Sequence, residues 1–458
     1  MRQASCVLSC LLLFPCIIAS AQARALTYTA AAEAAINSAS ELHYRYASKK
    51  LRTEAWRLSL RAYFPQLSIS MSEDDRLSQN ASDSFVKSFG LSLSQLLWDG
   101  GRTSKARSLE EAELCLLQTD IERELRNVGK AAVQAYRQVL LVRTIFQVKT
   151  AALAYLEEQR LLLGVELARG LAREIDGLEA SIAVREAELE RDAAALQCEE
   201  AEQMFMHLLG LQEMPVLIES IDTEEPALLF KDSRLELIDF ARTSNPELKA
   251  LRFSVAKKQA ELRSASHSWL PTLGMSAGFR VHGDEYPLTR SSWNVALNLQ
   301  FSSPLLKAGS DLGTGWEPPF DRTAQTSLNT EVLSDPASIL SPKSAALALR
   351  LESNRYADAL MAIGPSTLQL IRRYELAYRQ REHARSVQKL ASEQLRLGEL
   401  NFELGRSTRA DLMTSCIQLS QKQIALYEAA VALLVAQTDL ESLLDLSPGG
   451  LRELVGKS

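Results

Sequence analysis

The chain has 458 residues, with 51 Lys and Arg against 57 Asp and Glu. Its net charge of −6 excludes a general nucleic-acid footprint, which needs basic surface. Hydrophobic residues make up 46% but aromatics only 6%, a composition that favours long helices over a compact aromatic core.

Residues 1–23 read as a secretory signal. Arg2 supplies a weak positive start, residues 7–20 are mostly apolar, and Ala21-Gln22-Ala23 fits a small-x-small cleavage site. The apolar run falls short of the ~20 residues of a membrane span. Pro15 before Cys16 is a poor match to a lipidation site. Cys115, Cys198 and Cys416 remain after cleavage, far apart and odd in number, and read as small apolar side chains on helices rather than a disulfide framework. No later segment reads as a transmembrane helix.

From 24 to 218 the sequence reads helix, strand, loop, strand, long helix, turn, helix. An acidic, proline-containing linker covers 219–235. Residues 236–448 repeat the plan, and 449–458 form a C-terminal tail. The repeat is visible in "AYFPQLSIS" from Ala62 and "SWLPTLGMS" from Ser268, with Pro65 answering Pro271 at an offset of 206 residues. Gly170 and Gly405 correspond at an offset of 235. The extra residues of the second half fall in a Gly/Pro/Ser/Thr-rich stretch, and 310–342 therefore reads as a loop insertion.

Four strands show period-two alternation. Leu67, Ile69 and Met71 alternate with serines; Phe89, Leu91 and Leu93 alternate with Gly90, Ser92 and Ser94. Leu273, Met275, Ala277, Phe279 and Val281 form a third apolar row. Trp293, Val295, Leu297, Leu299 and Phe301 form the fourth, and this row is expected to face lipid. A soluble half-buried sheet gives the same alternation.

The first strand pair ends in Leu96-Leu97-Trp98-Asp99-Gly100-Gly101-Arg102. Trp98 suits the edge of a hydrocarbon layer, because an indole has an apolar body and one polar N–H. Asp99 is placed to cap the following helix, and Gly100 and Gly101 permit the backbone angles of the turn. Residues 104–164 lack proline and predict one helix of roughly 90 Å. Pro365 predicts a break or kink in the corresponding second-half helix. Leu412, Leu419, Leu426, Leu433 and Leu440 recur every seven residues, as do Ile175, Ile182, Leu189 and Leu196, predicting coiled-coil packing.

This duplicated order, with alternating strand, "LLWDGG" and long helix, resembles the TolC-like outer membrane efflux protein family. Pro304-Leu305-Leu306-Lys307-Ala308-Gly309 reads as a degraded second copy of the junction. The resemblance covers nearly all the mature chain. It implies a mainly α fold with a small β part, in which long antiparallel coiled-coil helices form a periplasmic α-barrel. Four strands per chain would join a shared transmembrane β-barrel, twelve strands in a homotrimer; four strands alone cannot close in lipid. It further implies an outer membrane channel extending into the periplasm, the exit duct of a tripartite efflux or type I secretion system. The implied partners are outer membrane lipid, a periplasmic adaptor protein and an inner-membrane transporter of ABC, RND or MFS type.

In that family the two glycine turns form the periplasmic end. Gly170 and Leu171, with Gly405 and Arg406, are the expected adaptor-contact tips. Asp411 matches an aspartate that lines the closed end, and Asp176 holds the matching place in the first half. As a periplasmic gate this chain departs from the family pattern at three positions. Phe402 lacks the hydroxyl of a tyrosine that bonds the aspartate matching Asp176, and Thr414 replaces a second aspartate. Ser407 replaces an arginine, with Arg406 and Arg409 nearby. For Asp411 a solvated acid at a helix N-terminus is the alternative.

No enzyme, cofactor or metal site is expected. The five histidines are scattered without ligand spacing, and no nucleophile motif occurs. The competing function is a periplasmic coiled-coil scaffold or adaptor without channel activity, which would not require a lipid-facing row.

Overall fold

The computed structural model describes residues 25–76, 84–224, 226, 228, 230, 234–266, 270–303, 306–317, 321–332 and 339–455. The signal region, Trp269, Pro304 and Leu305 lie outside the described residues. The first half runs β1 (Ala25–Leu26), α1 (Tyr28–Ser38), α2 (Ser40–Leu58), β2 (Gln66–Arg76), β3 (Ser84–Trp98), α3 (Arg102–Ala168) and α4 (Glu174–Leu209). After β4 (Val216–Leu217), the second half runs α5 (Arg234–Ser244), α6 (Pro246–Ser266), β5 (Thr272–Gly283), β6 (Arg290–Ser302), β7 (Leu306–Glu317), β8 (Asp321–Val332), α7 (Leu340–Glu403), α8 (Arg409–Leu443) and α9 (Gly450–Val455).

Among the described residues the main sheet has six strands, not four. All six are antiparallel, in the order β2-β3-β5-β6-β7-β8. Much of the expected loop insertion 310–342 is the hairpin β7–β8, and Leu306 to Gly309 opens β7 instead of a second strand–helix junction. The reason lies in the pairing. Leu312 sits opposite Leu297, and Trp316 opposite Trp293, so the hairpin extends the apolar face of β6. Its glycines and threonines fill the places between, where a pleated strand accepts them.

Cross-strand partners share a face. One row runs Ile69, Leu91, Phe279, Trp293 and Trp316; another runs Met275, Leu297 and Leu312. Along these rows Ile69, Leu91, Trp293, Leu297, Leu312 and Trp316 are all exposed. The Phe279 and Trp293 rings lie 4.5 Å apart. The opposite face carries serines, glycines and amides. Ser276 Oγ donates to Asn298 Oδ1 (3.3 Å), Asn298 Nδ2 donates to Asp311 Oδ1 (2.7 Å), and Ser327 Oγ donates to Asp311 Oδ2 (3.2 Å). This polar chain crosses β5 to β8.

Two compact units are resolved. One comprises 1–38, 131–224 and 383–431; the other comprises 39–130, 225–382 and 432–458 and holds the six-stranded sheet. The core of the second unit gathers Phe230, Leu237, Ile371, Tyr374, Leu440, Leu444 and Leu451. α7 passes through Pro365 without ending, so of the expected break or kink no break occurs. Ile363, Thr367 and Ile371 are buried beside it. Thr367 Oγ1 donates to the Ile363 carbonyl (2.7 Å). This burial offsets the ~3 kcal/mol that an interior proline costs.

In the first unit, Leu153, Leu156 and Leu163 of α3 pack with Ala180 and Val184 of α4 and Met413 of α8. α3 also contains one window of mean hydropathy 1.4, long and apolar enough to cross a membrane, which corrects the expectation that no later segment would qualify. Ala132, Val133, Tyr136, Val139 and Val142 of this helix are buried, and 28% of the apolar window is buried in all. Cys115, Cys198 and Cys416 are free and lie on helices.

Candidate functional site

The strand–helix junction is built around Asp99, which is 4% exposed. Gly101 N–H and Thr103 N–H donate to its two carboxylate oxygens at 2.9 and 2.6 Å, and Tyr63 Oη donates at 3.2 Å. Burial pushes this carboxyl up, but the hydrogen bonds from Thr103, Gly101 and Tyr63 together hold it below its ordinary value. The expected cap of α3 is therefore present. Gly100 and Gly101 have φ of 66° and 78°, the left-handed region open to glycine. A side chain on Gly100 would come within 2.6 Å of Leu270 Cβ, so the turn packs against the entry to β5. Arg102 Nη2 donates to the Leu270 carbonyl at 3.0 Å, tying the same two segments. Trp98 ends β3 with its side chain 46% exposed on the rim of the apolar face.

Trp293, Val295, Leu297 and Leu299 are exposed on one face of β6, and Phe301 on the same face is half-buried.

The two glycine turns share one construction. Gly170 has φ 67°, and Leu171 N–H donates to the Glu166 carbonyl at 2.9 Å. Gly405 has φ 69°, and Arg406 N–H donates to the Asn401 carbonyl at 2.8 Å. Each closes the preceding helix in a Schellman turn. Leu171 is 75% exposed and Leu404 67%. Each following helix is then opened by its aspartate. Asp176 accepts from Arg173 N–H (3.3 Å) and from the Arg173 guanidinium (2.8 and 3.2 Å). Asp411 accepts from Thr408 N–H (2.9 Å) and Thr408 Oγ1 (2.8 Å), while Asp411 N–H donates back to Thr408 Oγ1 (3.2 Å). This is a capping box. Both carboxyls lie below their ordinary value: Asp176 through the Arg173 guanidinium, Asp411 through the Thr408 hydrogen bonds. The charge of Asp176 opposes a small part of that shift at Asp411.

Phe402 and Arg409 supply a link that sequence reasoning missed. The Arg409 guanidinium stands 4.5 Å from the Phe402 ring centroid. Its Nε donates to Glu166 Oε1 and its Nη1 to Gln159 Oε1, each at 2.8 Å. α8 is thereby joined to the end of α3. Phe402 has no hydroxyl, but its ring face receives the cation instead. Ser407 Oγ donates to the Gly398 carbonyl at 3.2 Å, and Thr414 Oγ1 to the Ala410 carbonyl at 3.0 Å. Thr414 is exposed and brings no charge. The sequence signal for this link was Arg409 close beside the gate residues; its partners Gln159 and Glu166 lie some 250 residues away and carry no motif.

Among the described residues no cluster of His, Cys, Asp and Glu could hold a metal ion.

No profile of a known protein family matches the chain. The outer membrane efflux protein BepC of Brucella suis biovar 1 (strain 1330) is 22% identical over 271 residues, which is 59% of this chain and 58% of BepC. The match thus spans little more than half of that relative. The solved structure of CusC, described in its transmembrane channel formation, superposes with a TM-score of 0.74 over 92% of each chain at 12% identity. The open-state MtrE outer membrane channel of Neisseria gonorrhoeae superposes with a TM-score of 0.72 at 14% identity, covering 92% of this chain and 89% of MtrE. The chain has the fold of the TolC-like outer membrane channels, the family its sequence resembles.

Proposed function

We propose that this chain is a subunit of an outer membrane channel, assembled from copies of itself and serving as a passive exit duct. The observation that carries the proposal is the sheet. One face presents tryptophan, phenylalanine, leucine and valine side chains in exposed rows, and the other presents serine, glycine and amides. Lipid on the first face and water on the second satisfy both. The edge strands β2 and β8 leave unpaired backbone groups, which lipid does not tolerate, so copies must pool their strands.

The helices favour the same assembly. Ile175, Ile182, Leu189 and Leu196 line α4 every seven residues and are 56–67% exposed. Leu390 and Leu397 on α7, with Leu404 just beyond it, repeat at the same spacing and are also exposed. The heptad residues Leu412, Leu426, Leu433 and Leu440 of α8 are instead buried within the chain. Unspent heptad stripes call for partner helices. The resemblance implies three copies.

The turns at Gly170–Leu171 and Gly405–Arg406 are the proposed adaptor contacts, with Asp411 and Asp176 at the periplasmic entrance. Energy would come from an inner-membrane pump reached through the adaptor, in efflux or type I secretion. A periplasmic scaffold would bury its coiled-coil stripes but would have no use for the exposed sheet rows.

Density-gradient fractionation, followed by native sizing after detergent extraction, tests this reading. An oligomer in the outer membrane fraction is expected. A soluble periplasmic monomer would refute it.

A further inference from the structure

We propose that the β7–β8 hairpin is part of the transmembrane wall. It closes the barrel by pairing β8 of one copy with β2 of the next, so that three copies enclose eighteen strands and not twelve. This rests on the channel reading above and goes beyond it.

Four observations lead there. First, the amphipathic pattern does not stop at β6. From β6 the partner register carries the apolar face through Leu306, Ala308, Ser310, Leu312, Thr314 and Trp316 of β7. On β8 the same face holds Arg322, Ala324, Thr326, Leu328, Thr330 and Val332. Leu328 and Val332 are 72% and 73% exposed, as an unpartnered lipid-facing residue would be. Arg322 is the one charge in these two rows, and it lies at the extreme end of β8 where a headgroup region would be.

Second, the opposite face of the hairpin is polar throughout: Lys307, Gly309, Asp311, Gly313 and Gly315 on β7, and Thr323, Gln325, Ser327, Asn329 and Glu331 on β8. The bonds from Asn298 and Ser327 to Asp311 lock β6, β7 and β8 together on that face. A hairpin folded away from the wall would break the Asn298–Asp311 link and strip one ladder from β6.

Third, the edges match. β2 has 11 residues and β8 has 12. Six alternating strands leave β2 and β8 running in opposite directions, so β8 of one copy meets β2 of the next as an antiparallel pair. Bacterial barrels use that pairing and an even strand number.

Fourth, charge complements charge at the loop end of the two edges. Asp74 near the end of β2 is exposed beside the Glu73–Lys87 ion pair (2.7 Å), and Arg322 stands at the start of β8.

The consequence is width. With strands ~4.8 Å apart and tilted ~40°, twelve strands give a backbone diameter of about 24 Å and eighteen about 36 Å. Barrels of 16–18 strands leave an open aqueous channel, so the outer membrane part would not limit the size of the cargo.

Disulfide mapping tests the closure in a chain with Cys115, Cys198 and Cys416 replaced by alanine. Ser70→Cys on the polar face of β2 is combined in turn with Gln325→Cys, Ser327→Cys and Asn329→Cys on β8. In parallel it is combined with Asn294→Cys, Ala296→Cys and Asn298→Cys on β6. Oxidation of the membrane-embedded oligomer should shift at least one β2–β8 combination from monomer to covalent dimer and trimer, reversed by reductant, and no β2–β6 combination. Linkage through β6 would overturn the proposal. So would failure of every β8 pair in a protein that still extracts from the outer membrane as an oligomer. A protein found as a soluble monomer would instead overturn the channel reading itself. Spin labels along 324–330 give a second readout that no barrel closure can mimic. Oxygen should collide preferentially at Ala324, Thr326, Leu328 and Thr330, and a water-soluble nickel complex at Gln325, Ser327 and Asn329. Uniform access to nickel along β8 would place the hairpin outside the membrane and refute the proposal.

Discussion

Leu297→Arg should cripple barrel assembly while Asn298→Arg, one residue on, should not. β6 runs from Arg290 to Ser302, which puts Leu297 one residue, about 3 Å, from the strand's centre. Its partners across the ladder are Met275 and Leu312, both apolar, so an introduced guanidinium finds no acceptor beside it. At mid-membrane a lipid-facing arginine costs about 2–4 kcal/mol, roughly a 30- to 900-fold loss in the folded-to-unfolded ratio. Asn298 faces the other way and already bonds Asp311, a carboxylate that an arginine can engage. Phe301→Arg, near the end of the strand, should cost only about 0–1 kcal/mol. Urea-titrated folding into lipid vesicles, read by trypsin resistance, measures all three. The reasoning fails if Leu297→Arg and Asn298→Arg have the same midpoint, or if Phe301→Arg is the most damaging.

Leu189→Lys on the exposed α4 stripe should leave the monomer folded, since Leu189 is 67% exposed, yet lower the oligomer fraction in native sizing. Arg409→Ala removes a charged hydrogen bond to Glu166 worth about 1.5–3 kcal/mol and the stacking on Phe402. Proteolysis at the two tips should quicken, and Arg409→Lys should not restore resistance, because one ammonium lacks the fork that reaches both Glu166 and Gln159. Asp411→Asn should weaken block of the channel by divalent cations from the periplasmic side, since it removes charge at constant size. Asp176 and Asp411 both titrate below the usual aspartate value of 3.8 in the folded chain. Their caps therefore contribute fully above that value and are lost as pH falls through the lower folded values. Limited proteolysis across that acidic range should show the tips loosening before the sheet does.

The strands β2, β3, β5 and β6 were legible because each carries at least three strong apolar residues at alternate positions. The Asp99 cap, the glycine turns at 100–101, 170 and 405, and the α8 heptads were legible for the same reason: one residue type with one physical task. The β7–β8 hairpin was not. Between Leu306 and Val332 its lipid-type face is held by only a few large residues, Leu306, Leu312, Trp316, Leu328 and Val332. Ala, Ser and Thr, with Arg322 at the end of β8, occupy the remaining places, and the glycines of the polar face make the stretch read as loop. Only pairing with β6 shows that Leu312 and Trp316 continue an existing row. Of the break or kink expected at Pro365 no break occurs, because the buried core around Ile363 and Ile371 outweighs local propensity and α7 stays continuous. The Arg409 link was hidden because its partners are distant in sequence. Asp411 is a helix-capping acid by geometry, the alternative its sequence reading offered beside the gate.

The most direct measurement is single-channel recording from the detergent-extracted oligomer in a planar lipid bilayer. The account predicts discrete conductance steps that appear only with the oligomer and rise when Arg409→Ala loosens the tips. A correctly folded, outer-membrane oligomer that inserts into the bilayer and passes no current in either form would contradict it.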